Sequence, residues 1–160
     1  MIGSTNATEL EVTPTLEEAG RRRADLYQAI LGLEQAAARP AVGREEQWVE
    51  GVIEALEQLE GEIVDHIEIT ERHDGLYAEI ADAAPRLSGK VQLLRDEHPE
   101  MQEATSGLKA RLTTAQSSDA LSVGEARDEI QHVLGRLVKH RQLGADLVWE
   151  AYSRDIGGVD

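Results

Sequence analysis

Trp48, Val52, Leu56, Leu59 and Ile63 recur at intervals of three and four residues, and His66 and Thr70 continue the same face. That spacing lays one apolar stripe along a helix from about Arg44 to Arg72. Three more segments carry such a stripe. The first has Leu16, Ala19, Leu26, Ile30 and Leu33, and Pro40 ends it. Its start is expected at Thr15, because Thr15 followed by Glu18 has the capping-box spacing. The third, over about Arg86 to Thr114, has Val91, Leu94, His98, Met101, Thr105, Leu108 and Leu112. Pro99 inside it removes a backbone donor, so a kink or local break is expected there. The fourth opens on a second capping box, Ser122 with Glu125. It carries Ala126, Ile130, Val133, Leu137, His140, Gly144 and Val148 and stops at DIGG, residues 155–158.

Short or moderate links join these segments. Asp74-Gly75 is a turn signal, and LYAEIADAA reads as a short helical piece ahead of Pro85. The polar run TTAQSSDA reads as a linker. The expected fold is all-α, an antiparallel up-and-down four-helix bundle over residues 15–158, with residues 1–14 as a mobile tail. With no Phe, the core must come from Leu, Ile, Val and Ala.

Composition narrows the chemistry. There is no Cys, which removes disulfides, thiolate metal sites and cysteine nucleophiles. The formal charge of −15 repels phosphate backbones, so nucleic acid is not an expected partner. No stretch is long and apolar enough to span a membrane, and the N-terminal residues lack a signal-peptide pattern. A cytoplasmic location is the expectation. P-loop, GxGxxG, GxSxG and HExxH motifs are all missing.

Of the 5 histidines, three fall on apolar stripes, each on a different helix: His66, His98 and His140. His73 lies at a turn and His132 lies off its helix's stripe. Imidazoles from three facing helices can meet around one metal ion, and neutral imidazole ligates iron, zinc, copper or nickel without a thiolate. Glu62, four residues before His66, or Glu71, five after it, could add a carboxylate. Glu97 adjoins His98 but points about 100° away on an ideal helix. The bland alternative is a buried hydrogen-bonded network of His, Arg and Glu without metal, in a structural, interaction or small-molecule sensor protein.

The segments LEGEIVDHIEITERHDGLYAEI, LLRDEHPEMQEATSGL and LGRLVKHRQLGADLVWEAYSRDIGG resemble the last three helices of a hemerythrin-like domain. The resemblance covers about residues 15 to 158. It implies a four-helix bundle with a non-haem iron site that binds or senses oxygen, or handles iron, peroxide or nitric oxide. The family's di-iron site takes a histidine from the first helix and His with Glu four residues on from the second. It takes two histidines four apart from the third, and His with an acid five residues on from the fourth. Here His66, His98 and His140 match. Thr70 stands where the Glu would be, with Glu71 one residue late. Leu94 or Gln102 replaces a histidine, Ala145 replaces the acid, and the first helix offers inward Arg23 instead of histidine. The implied metal ligands are therefore His66, His98, His140 and Glu71, suited to a single iron more than to a pair. The implied partner is a metal ion or a small diatomic ligand.

Overall fold

The computed structural model describes residues 12–118 and 120–154. Helix α1 spans Pro14–Ala38, α2 Glu45–Glu71, α3 Leu76–Ala83, α4 Ser88–Ser118 and α5 Val123–Trp149. A single 3-10 turn, Pro85–Leu87, leads into α4, and a π-helical turn, Glu150–Arg154, follows α5. The four long helices close a ring: α1 packs on α2 and α5, and α4 packs on α2 and α5. Helix α3 sits at one end of the bundle against α1, α2 and α4. The architecture is the expected antiparallel four-helix bundle.

The helix ends follow from local chemistry, and two of them correct the sequence reading. Helix α1 starts earlier than Thr15. Pro14 occupies its first turn, where a missing N–H costs nothing, and Thr13 Oγ1 accepts from the Leu16 N–H at 3.1 Å. Helix α4 runs past Thr114, so most of the expected linker is helical. Hydroxyls there bond back to carbonyls one turn earlier, Thr113 to Lys109 at 2.8 Å and Ser117 to Thr113 at 3.2 Å. The polar side chains thus satisfy themselves without leaving the helix. Ser122 caps α5 as expected, accepting from the Glu125 N–H at 3.2 Å. Pro99 lies within α4, exposed, and the helix continues on both sides of it. The DIGG stop and the first eleven residues of the expected tail lie outside the described residues.

The core divides into two apolar clusters. The larger contains Leu26 and Leu33 of α1, Leu59 and Ile63 of α2, Met101 and Leu108 of α4, and Ile130 and Leu137 of α5. The smaller contains Ala19, Ile69, Leu76, Ile80, Leu94 and Leu147. On every long helix one polar residue of the stripe falls between the two. These are Arg23 between Ala19 and Leu26, His66 between Ile63 and Ile69, His98 between Leu94 and Met101, and His140 between Leu137 and Leu147. A polar layer therefore crosses an otherwise aliphatic core.

Candidate metal centre

The three stripe histidines meet in this layer. His66, His98 and His140 are 9 %, 1 % and 3 % exposed. Their ring centroids lie 4.9 to 5.3 Å apart, edge to face. One nitrogen from each ring can be chosen so that all three lie within 4.8 Å of one another. His66 Nε2 and His140 Nε2 are 3.2 Å apart. A metal bound to imidazoles at about 2.0–2.1 Å separates neighbouring ligand nitrogens by about 3 Å, so this pair already has the spacing of two ligands.

Carboxylates stand behind two of the rings. His140 Nδ1 donates to Glu97 Oε1 at 2.6 Å, and His98 Nδ1 donates to Glu71 Oε2. Each bond places the ring proton on Nδ1 and frees Nε2 as a lone-pair donor. The remaining roles follow. His66 Nε2–H donates to His140 Nε2, and the Tyr77 hydroxyl donates to His98 Nε2 at 3.3 Å. Thr70 Oγ1 donates to the His66 carbonyl at 2.8 Å, and its side chain also bears on Tyr77 and lines the space beside His66 and His140.

Two of the imidazoles, His66 and His98, are held neutral. Burial first, then His98, His140 and Arg23, lowers His66 from 6.5 to about 3. Burial, His140 and Arg95 lower His98 from 6.5 to about 3. Neutral imidazole is the ligating form. Arg23 is only partly buried. Its guanidinium is made more acidic by burial and by Arg141, and both arginines line a cavity of about 30 Å³ beside His66 and His140. That space holds about one water-sized molecule.

Of the four residues expected as ligands, three converge, and Glu71 lies on the far side of His98 with its carboxylate on Nδ1. Arg95 pairs with Glu71 at 3.8 Å. Glu62 is elsewhere, in a surface groove between α1 and α2 beside Asp25. Leu94 belongs to the smaller apolar cluster, whereas Gln102 and Ala145 are exposed. His132 is exposed, with Nδ1 on the Asp128 carbonyl at 2.9 Å.

Two residues of the site escaped the sequence reading. Glu97 points away from its own helix's histidine, as its 100° offset requires, and reaches across to His140 on α5 instead. Tyr77 comes from α3, a segment with no histidine. Gly75 permits its approach: a Cβ there would lie 2.6 Å from the Ile69 carbonyl oxygen. No periodicity along one helix encodes either contact.

The donor set fits a metal ion: three buried imidazoles on three helices, with two oriented by carboxylates. Scans against protein-family models, curated proteins and solved structures found no match to this chain.

Proposed function

We propose that this protein is a hemerythrin-like metal-binding protein that holds one ion on Nε2 of His66, His98 and His140, within a bundle over residues 15–158. The observation that carries the reading is the convergence of three buried imidazoles, two of them backed by Glu97 and Glu71. A helical carboxylate behind a histidine fixes the ring and raises its basicity as a ligand. Iron is the proposed metal on the strength of the hemerythrin resemblance, with a small diatomic ligand, peroxide or nitric oxide as its partner. The cavity of about 30 Å³ beside His66 and His140 is of a size for such a molecule.

Nuclearity follows from the charges. A pair of irons needs bridging carboxylates, and the two glutamates at this layer are committed to Nδ1 atoms. Arg23 adds a positive charge on the α1 side. One ion facing three buried rings is the arrangement these residues support. Glu71 acts in this reading as an orienting acceptor behind His98 and not as a ligand.

Elemental analysis tests the proposal. Protein purified without an affinity tag, after growth with added iron, should carry about one metal per chain. His140→Ala should lose it while keeping the helical circular dichroism. Metal near zero in the parent refutes the reading and favours a second one, a metal-free polar layer in a structural or sensor bundle. That alternative draws on the bonds His66 to His140 and Tyr77 to His98, which pair ring nitrogens with protein partners.

A further inference from the structure

Three imidazoles leave a fourth corner of a tetrahedral site open, and one oxygen stands beside it. Tyr77 Oη lies 3.3 Å from His98 Nε2, nearly the 3.2 Å that separates His66 Nε2 from His140 Nε2. The phenol ring stacks on the His98 ring, at 16° between planes and 5.8 Å between centroids. Tyr77 is buried, and it lines the same small cavity as His66 and His140. Its oxygen reaches His98 on the Nε2 side of the ring. The nearby carboxylates, Glu71 and Glu97, sit behind the rings.

We infer that Tyr77 is the fourth protein ligand, binding the ion as a phenolate. The inference rests on the three-histidine reading above. On coordination the metal takes the place of the phenolic proton on Oη, and that proton leaves to solvent. Burial first, then the charges of Glu71 and Glu97, pushes the Tyr77 hydroxyl above its usual range, so the free phenolate is disfavoured. A bound cation reverses that preference, as cations do for coordinating acids. Charge balance points the same way. Three metal-bound imidazoles add no charge, and a Tyr77 phenolate would offset one unit of the charge of a trivalent ion.

The position of Tyr77 is fixed by its helix. Gly75 lets α3 close tightly on the end of α2. At the other side Glu79 accepts from Thr13 Oγ1 at 2.7 Å and from the Tyr152 hydroxyl, tying α3 to the start of α1 and to the turn after α5. Arg95 lies 5.9 Å over the Tyr77 ring. The remaining two of the chain's 3 tyrosines are otherwise engaged: Tyr27 packs under the Arg141 guanidinium at 4.2 Å, and Tyr152 bonds Glu79.

Visible absorption and resonance Raman spectroscopy of iron-loaded protein test this. The protein is loaded with iron(II) without oxygen, then oxidised with ferricyanide and desalted. The expected result is a phenolate-to-iron charge-transfer band with ring modes enhanced on excitation into it. Tyr77→Phe should abolish the band while retaining iron near one equivalent, and should raise the iron reduction potential. Tyr27→Phe should leave the band unchanged. A parent that holds one iron, lost on His98→Ala, yet shows no such band overturns the inference and leaves the three-histidine site standing. A band that persists in Tyr77→Phe also overturns it. A parent that binds no iron overturns both.

Discussion

Acidification of the metal-free protein should unfold it through His66 and His98. Both are held at about 3 in the fold, against 6.5 for an exposed imidazole. Between those values the unfolded chain binds protons that the folded chain refuses. Stability is therefore complete above 6.5 and is lost progressively as pH falls toward 3. Each such group contributes a slope of up to ~1.4 kcal/mol per pH unit. From pH 7 to pH 5 the two together cost ~4 kcal/mol, because half-titration near 6.5 softens the upper end. That is a large part of the 5–15 kcal/mol typical of a domain. With a urea m-value of roughly 2 kcal/mol/M, the midpoint should fall by about 2 M. Carboxylates also begin to titrate toward pH 5, so the control is the pair His66→Leu with His98→Leu, which shares every carboxylate. The assay is urea denaturation by circular dichroism, after dialysis against chelator, at half-unit pH steps. The parent should show the steep loss and the double variant a much flatter one. Equal slopes would refute the claim that these two rings are buried and neutral.

Two further substitutions probe the supports of the layer. Glu97→Ala removes the acceptor of His140 Nδ1, bonded at 2.6 Å, and leaves a buried donor unpaired. It should cost about 1–3 kcal/mol in urea midpoint terms and weaken metal binding about 10–100-fold by competition with a chromophoric chelator. An affinity unchanged from the parent contradicts the orienting role. Gly75→Ala places a Cβ 2.6 Å from the Ile69 carbonyl oxygen, a backbone atom. The junction of α2 with α3 must shift, at about 1–3 kcal/mol, and the thermal midpoint should drop. A midpoint equal to that of the parent would show that the junction yields freely.

What the sequence made legible was what one helix can carry. The stripes of α2, α4 and α5 place His66, His98 and His140 inward, because a residue three or four after a buried one must share its face. Arg23 followed by the same logic on α1. Contacts between helices were not legible. Glu97 was discounted because it faces away from His98, yet the same geometry aims it at His140. Glu71 follows His66 closely in sequence, and its carboxylate reaches Nδ1 of His98 on the neighbouring helix, a contact that its spacing from His66 does not announce. Tyr77 sat in a segment read only as a short helix, and nothing in its spacing tells which histidine it will meet. The displaced helix ends have a local cause. Pro14 outweighs the Thr15 capping pattern at one end. At another, the hydroxyls of Thr113 and Ser117 keep a polar run helical.

The central claim is that one ion sits on three imidazoles in the polar layer. Crystals of protein loaded with cobalt(II), an iron surrogate with a usable absorption edge, would locate it by anomalous diffraction. The account predicts one strong anomalous peak per chain, about 2.0–2.2 Å from Nε2 of each of His66, His98 and His140. A layer without an anomalous peak, with cobalt on the exposed His132 or on surface carboxylates instead, would contradict it.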